Sequence, residues 1–157
     1  MHIPSSPNKL PEDITETVRR ALIEDLGSGD ITATLIPEHK HAQGCIVSKD
    51  TGYICGIPWA QEAFRQLDDT ACLNWHVQEG DRIEPGQKLC DLRGHARALM
   101  SGERTALNFL QTLSATATQT ANLAKLILHT SATLLERPVI FIEESLAVSI
   151  IRHDAIS

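Results

Sequence analysis

A glutamate and an arginine stand side by side in a helical segment, and their chemistry needs an explanation. The segment MSGERTALNFLQTLS, residues 100–114, continues a run of apolar side chains at helical spacing. At about 100° per residue, Glu103 is predicted near the middle of the apolar face and Arg104 on its flank. The apolar positions are Leu99, Ala106, Leu107, Leu110 and Leu113.

Two interpretations of this pair are open. In the structural one, Glu103 meets a cation from a neighbouring element, because a buried carboxylate without a partner is costly, and Arg104 reaches solvent. In the functional one, Arg104 is a fixed cation in a binding site, since its guanidinium can bind two oxygens of a carboxylate or phosphate at once. The rest of the chain has to decide between them.

Other candidates for chemistry are weaker. The chain has no GxSxG, P-loop, HExxH or GxGxxG motif. The tripeptide HKH, residues 39–41, could in principle hold a metal, but it follows Pro37 and no further Cys or His is near in sequence, which favours a solvated loop. The stretch VQEGDRIEPGQKLCDL has the turn-rich composition of lipoyl and biotinyl carrier domains. In those domains the modified lysine occupies a hairpin tip, whereas Lys88 only follows a Pro-Gly turn. No catalytic residue and no metal ligand is therefore assigned.

Composition narrows the class of protein. The chain has 157 residues, is 42% hydrophobic and carries a net charge of −6, which predicts one globular domain with a real core. No basic stripe points to nucleic acid, no apolar run is long enough for a membrane, and the N-terminus does not resemble a signal peptide. The four cysteines form no CxxC pair and are expected to be reduced core residues, which favours a cytoplasmic protein.

The periodicity of the chain predicts an alternation of helices and strands. A KDTG stretch at residues 49–52 is typical of a hairpin turn, and a segment poor in large apolar residues, 114–120, suggests a break between two helices. The predicted elements are a helix at residues 11–25 that stops at Gly27, hairpin strands within 41–57, a helix at 58–67 with Trp59, Ala63, Phe64 and Leu67 inward, a strand at 72–77, short strands around turns at 80–81 and 85–86, helices within 96–129, and a strand at 139–142.

Four blocks occur in the order seen in one enzyme family. They are ALIEDLGSGDITATLIP, GYICGIPWAQEAF, VQEGDRIEPGQKL and GERTALNFLQTLSATAT. In this order the sequence resembles quinolinate phosphoribosyltransferase, also called nicotinate-nucleotide pyrophosphorylase (carboxylating), of NAD biosynthesis. The resemblance extends from about residue 11 to residue 135.

The resemblance implies a fold and a reaction. The expected fold is α+β, an N-terminal α/β sandwich domain with a largely antiparallel sheet and long helices, followed in the family by a C-terminal α/β barrel. Family enzymes use Mg²⁺ and convert quinolinate and 5-phosphoribosyl 1-pyrophosphate to nicotinate mononucleotide, CO₂ and pyrophosphate. They work as dimers or larger assemblies, in which the sandwich domain lends an arginine to the barrel of its neighbour. Arg104 matches that arginine, which favours the functional interpretation, with Glu103 structural.

The chain departs from the family after ATLL, where the family continues DTRKT and this chain reads ERPVIF. Glu136 replaces the Asp, while Pro138 and Val139 stand where the family has a substrate-binding Arg and Lys. Arg137 is one position out of register and receives no role. The predicted division is therefore a flexible N-terminus at 1–10, the family domain with its linking helices at 11–135, and a non-family tail at 136–157. The barrel and its Mg²⁺ site have no counterpart.

Two expectations follow for function. An interrupted gene would give a truncated enzyme that is inactive alone, and the abrupt switch inside a motif favours this. The alternative is a non-catalytic interaction module that docks on a full-length partner subunit. The expected assembly is a homodimer of this chain or a complex with a full-length copy. For the tail, residues 139–142 are expected to dock on the sheet, with weak order beyond Glu144 and early proteolysis after Arg152 or within residues 143–145.

Overall fold

The computed structural model describes residues 13–27, 35–127 and 148–156, which form three helices and six strands. The α+β class, with a largely antiparallel sheet and a long helix, is confirmed. The elements are α1 (Ile14–Leu26), β1 (His41–Ser48), β2 (Gly52–Tyr53), α2 (Ile57–Leu67), β3 (Cys72–Trp75), β4 (Arg82–Ile83), β5 (Lys88–His95), α3 (Ala96–Ile127) and β6 (Val148–Ile156).

The main sheet has four antiparallel strands in the order β3-β5-β1-β6. The outer strand β6 pairs with β1 so that Cys45 lies opposite Ile151. Weak order beyond Glu144 is thus a wrong prediction for residues 148–156, and Arg152 lies within a paired strand instead of a mobile end. The predicted strand at 139–142 lies outside the described residues.

The predicted hairpin between β1 and β2 is wrong. Both edges of β1 are occupied, by β5 and β6, and β2 pairs instead with β4 in a separate two-stranded sheet. Backbone bonds explain the choice: the Ile54 amide donates to Asp81 O at 2.9 Å, and the Gly80 amide donates to Ile54 O at 2.8 Å. The KDTG stretch bends the chain at Lys49 and Asp50 and carries it from one sheet to the other, and its Gly52 already belongs to β2.

Helix α3 is continuous over 32 residues, so the predicted break at residues 114–120 is also wrong. Hydroxyl groups in this stretch form hydrogen bonds with the end of β2 and with the segment that follows it. Ser114 Oγ accepts from the Cys55 amide at 2.9 Å and donates to Cys55 O at 3.1 Å, while Thr118 Oγ1 accepts from the Tyr53 amide at 2.9 Å. The small polar residues therefore serve a close contact between helix and loop and do not interrupt the helix.

The core lies between the sheet and the three helices. Its fully buried large side chains come from every layer and are Phe64, Ile46, Ile54, Ile83, Leu89, Leu110 and Val18. Of the predicted inner face of α2, Ala63 and Phe64 are fully buried, and Trp59 and Leu67 pack partly buried against the same cluster.

Two further predictions concern single residues. Gly27 ends α1 as predicted, with a φ of 49° and its amide donating to Ile23 O at 3.0 Å. None of the four cysteines is in a disulfide, but only Cys45 and Cys90 are buried. Cys55 is half-buried and Cys72 is exposed, so the prediction of four core cysteines is wrong for these two. Within the described residues, no helix combines the length and apolarity needed to cross a membrane.

Deletion of residues 148–157 should expose one edge of β1. Residues along an antiparallel strand point their amides alternately to the two neighbouring strands. We therefore expect every second amide of β1 to exchange faster with solvent in the shortened chain, while the amides bonded to β5 keep their protection. Residue-resolved hydrogen exchange by NMR measures this. Identical protection of β1 in the two chains would show that β6 is not paired there in solution.

Candidate functional site

Arg104 lies in the third turn of α3, on the surface that faces away from the core. Its side chain is 83% exposed, and its Nε lies 3.5 Å from Oδ1 of Asp25, near the end of α1. An exposed ion pair of this length contributes little to stability. The guanidinium is thus presented to solvent, with only its Nε side next to a carboxylate.

Asp25 also anchors the helix that carries Arg104. Its Oδ2 accepts a hydrogen bond from Thr105 Oγ1 at 2.5 Å, and Thr105 is 1% exposed. The carboxylate itself is 22% exposed. One side chain of α1 therefore contacts two consecutive residues of α3, one buried and one at the surface.

Glu103 does not lie in the middle of the buried face, so that prediction is wrong. The centre of the face is formed by Gly102, Ala106 and Leu110, which are all buried, whereas Glu103 is half-buried and makes an interaction of its own. Gly102 was absent from the predicted apolar set because glycine has no side chain to count. A Cβ there would come within 3.0 Å of Phe64 Cδ1, so the missing side chain is what centres the face on this residue.

The start of α3 is fixed by a buried carboxylate. Asp68, at the end of α2, accepts at Oδ2 from the His95 amide at 2.9 Å and lies 2.9 Å from His95 Nδ1. Its Oδ1 accepts from the amide and hydroxyl of Thr70 at 3.0 and 2.5 Å. A Cβ on Gly94 would lie 2.9 Å from Oδ2, so the approach requires glycine. Because His95 directly precedes α3, Asp68 sets where the helix begins.

These bonds control the ionisation of Asp68. Burial of the carboxyl group favours its neutral form, but the hydrogen bonds from Thr70 and His95 together outweigh burial and hold the pKa of Asp68 well below its ordinary value. Asp68 is therefore a carboxylate at neutral pH, and its charge supports the β5–α3 junction.

A second carboxylate fixes the start of α2. Glu79 accepts from the amides of Gly56 at 2.6 Å and Ile57 at 3.0 Å, where the helix has unpaired donors. Burial, with a hydrogen bond to Glu79, raises the pKa of the Cys55 thiol to about 12, so this cysteine is an unreactive thiol at neutral pH. Phe64 of α2 lies against Gly102 of α3. By fixing the start of α2, Glu79 therefore also affects the position of α3.

Sequence reasoning singled out Arg104, whose role stays a prediction, but did not single out Asp25, Asp68 and Glu79, which position its helix. A signal existed for two of them: Asp25 lies within EDLG and Glu79 within QEGD, both inside the blocks that carry the family resemblance. Their partners lie 80 and 23 or 22 residues away in the chain, so no local pattern could identify them. Asp68 precedes a turn and has the ordinary appearance of a helix end.

The weaker candidates from the sequence, the HKH tripeptide at residues 39–41 and Lys88, are not part of this site. His41 begins β1, and its ring stacks on His95 with centroids 4.4 Å apart. Among the residues that the structure describes, no three His, Cys, Asp or Glu side chains form a group that could hold a metal. Lys88 begins β5 and pairs with Asp91 at 3.0 Å, so it is not at a hairpin tip as a carrier domain would require.

Comparison with known proteins identifies the family to which this fold corresponds. The model of the N-terminal domain of quinolinate phosphoribosyl transferase matches residues 30–114. The structure of the nicotinate-nucleotide pyrophosphorylase from Francisella tularensis superposes with a TM-score of 0.71 at 36% identity, over 76% of this chain and 44% of that one. That from Ehrlichia chaffeensis gives 0.68 at 30% identity, over 74% and 43%.

Sequence comparison with curated proteins points to the same family. Quinolinate phosphoribosyltransferase (decarboxylating) 2b of Nicotiana tabacum is 34% identical over 114 residues, which are 71% of this chain and 32% of the relative. The probable nicotinate-nucleotide pyrophosphorylase (carboxylating) of Bacillus subtilis is 38% identical over 98 residues, 62% and 34% respectively. The chain thus spans about a third of the length of these relatives.

The α+β architecture is therefore that of the N-terminal part of the nicotinate-nucleotide pyrophosphorylases. The chain belongs to the quinolinate phosphoribosyl transferase family, whose N-terminal domain it contains.

Asp68→Asn should change how stability depends on pH. The pKa of Asp68 is lower in the folded chain than the ordinary 3.8 of an unfolded one, so its stabilising effect is complete at neutral pH and is lost as the pH falls through the folded pKa. Below about pH 5 the free energy of unfolding of the wild type should therefore fall more steeply than that of the variant. Asp69→Asn, which changes an exposed neighbouring acid, is the control and should keep the wild-type slope. Parallel slopes for all three chains in denaturant titrations would contradict this role.

Proposed function

We propose that this chain supplies the N-terminal domain of a nicotinate-nucleotide pyrophosphorylase (carboxylating), and that Arg104 binds a carboxylate of quinolinate in the site of a neighbouring subunit. The observation that carries the proposal is the presentation of Arg104, which is 83% exposed on a helix anchored at its neighbour Thr105. Family membership supplies the substrate class, a dicarboxylate.

The exposure of Arg104 explains why a second subunit is needed. In solvent, water and salt screen a guanidinium, and its pairing with an anion is worth little. When a partner surface covers it, the same charge acts in a medium of lower dielectric constant, where pairing with a carboxylate is stronger. The backbone of Arg104 is fixed by a helix whose inner face is buried, which suits the positioning of a substrate for group transfer. The working unit would be a homodimer or an assembly with a full-length copy.

The Mg²⁺ that the family resemblance implies does not fit the residues described here. Among the described residues, no cluster of three or more His, Cys, Asp or Glu side chains could hold a metal ion. The exposed cation Arg104 would also repel Mg²⁺. No step of the reaction is therefore assigned to a metal held by this domain. Its contribution would be to bind and orient the dicarboxylate.

Free cysteines suit a reducing compartment, and we place the protein in the cytoplasm on that ground. The thiol pKa values of Cys55 and Cys90 are both raised to about 12, in each case chiefly by burial, so neither is a reactive thiolate at neutral pH.

The purified 157-residue chain should form no nicotinate mononucleotide from quinolinate and 5-phosphoribosyl 1-pyrophosphate. Its described residues offer Arg104 as an exposed substrate cation but include no group of His, Cys, Asp and Glu side chains that could hold a metal. Chromatographic detection of product, with the Francisella tularensis enzyme as positive control, measures this. Steady turnover by protein free of contaminating enzyme would contradict the proposal that the chain acts only together with another subunit.

Arg104 should restore activity in trans. The recipient is a full-length family enzyme in which the arginine matching Arg104 is changed to alanine. Adding this chain should raise its quinolinate-dependent activity to a plateau, because a docked N-terminal domain offers a guanidinium to an otherwise intact site. Arg104→Ala should give no rescue.

Arg93→Ala is the matched control, since Arg93 is an exposed arginine on β5 and should rescue like the wild type. Equal rescue by the wild type and Arg104→Ala would remove Arg104 from the site. Docking by all three chains without rescue by any would instead favour a non-catalytic interaction module.

A further inference from the structure

Asp25 presents its two carboxylate oxygens to different groups of α3. Oδ2 accepts from the buried hydroxyl of Thr105 at 2.5 Å, and Oδ1 lies 3.5 Å from Nε of Arg104. The carboxylate is mostly shielded from solvent at 22% exposure, whereas the guanidinium is 83% exposed. The acid is therefore the fixed member of the pair, and the arginine is the member that can respond to a ligand.

The buried hydroxyl is what fixes the acid. Thr105 is β-branched, so its χ1 has few choices within a helix. A helical threonine commonly turns its hydroxyl to the carbonyl four residues earlier, but this one donates to Asp25. With Oδ2 held in this way, Oδ1 lies on the Nε side of Arg104.

We propose that Asp25 is a positioning residue for Arg104, holding the guanidinium so that its two terminal nitrogens face outward as a pair. This inference rests on the proposed function of Arg104. A carboxylate on the Nε side leaves Nη1 and Nη2 for an incoming group, and two parallel N–H donors match the two oxygens of a planar carboxylate. Preorganisation of this kind reduces the freedom that the arginine loses on binding.

The experiment measures quinolinate KM and kcat in the trans-rescue assay with Asp25→Asn. The amide oxygen of asparagine can still accept from Thr105, so the helix contact is kept while the charge on the Nε side is lost. The KM for quinolinate should rise by up to about fivefold, with kcat changed less than about twofold. Glu16→Gln removes an equal charge earlier on α1, where Glu16 binds Arg19 and Arg20, and should change neither constant.

A second pair of chains separates positioning from a structural role. In an Arg104→Lys background, Asp25→Asn should leave the KM unchanged, because lysine has no Nε edge to orient. Thr105→Val, which releases the carboxylate but keeps its charge, should raise the KM in the Arg104 chain. One outcome would overturn the inference while leaving the proposed function intact. In it, the wild-type chain rescues activity and Arg104→Ala does not, but the KM is unchanged in both Asp25→Asn and Thr105→Val.

Loss of the cooperative thermal transition in Asp25→Asn would also overturn the inference, since it would show that the carboxylate is needed for folding. Equal rescue by Arg104→Ala would instead refute the proposed function itself.

Discussion

The contact between Phe64 of α2 and Gly102 of α3 is the constraint on which the position of Arg104 depends. Phe64 is fully buried, and a Cβ on Gly102 would lie 3.0 Å from its Cδ1 and 3.2 Å from Leu67 Cδ1. Interiors are packed too tightly to absorb such an overlap without movement of an element. A side chain at position 102 would require Phe64 and Leu67 to give way by a few tenths of an ångström, and Arg104 follows only two residues later.

Apolar packing sets the distance between α3 and its neighbours and the face of the helix that is buried, and directional bonds add to the definition of its register. Several polar contacts lie along the helix, among them those of Asp68 with His95 just before its start, Asp25 with Thr105, and Ser114 with Cys55. Each of these joins α3 to a different part of the chain. Because the hydrophobic effect has no preferred direction, these bonds act together with the buried face to hold Arg104 on the outer side.

The helix α2 is itself positioned from outside. The N-cap residue Gly56 has no side chain to cap the first turn of α2. The Glu79 carboxylate accepts hydrogen bonds from the amides of Gly56 and Ile57 instead. Gly56 precedes it with a φ of 100°, and a Cβ there would meet Leu113 Cδ1 at 3.0 Å and Phe109 O at 3.1 Å. Two glycines, Gly56 and Gly102, therefore allow α2 and α3 to approach each other at both ends of their contact.

Local patterns in the sequence predicted most helices and turns, because a helix face such as Ala63 and Phe64 repeats within a few residues. Pairings over long distances were not predictable in this way. The KDTG stretch does bend the chain, but whether β2 pairs with β1 or with β4 depends on a strand 30 residues further on. Likewise, Ser114 and Thr118 look like a helix break until the segment they bind is known. Arg104 was singled out through the family motif and its role stays a prediction, whereas Asp25 needed the three-dimensional structure because its partner Thr105 is 80 residues away.

A crystal structure of this chain assembled with a full-length family enzyme, with quinolinate bound, would test the role of Arg104. We expect Nη1 and Nη2 of Arg104 to lie about 2.7–3.1 Å from the oxygens of one quinolinate carboxylate, across the subunit boundary, with Asp25 still on the Nε side. A bound quinolinate held wholly by the other subunit, with Arg104 directed to solvent, would contradict it.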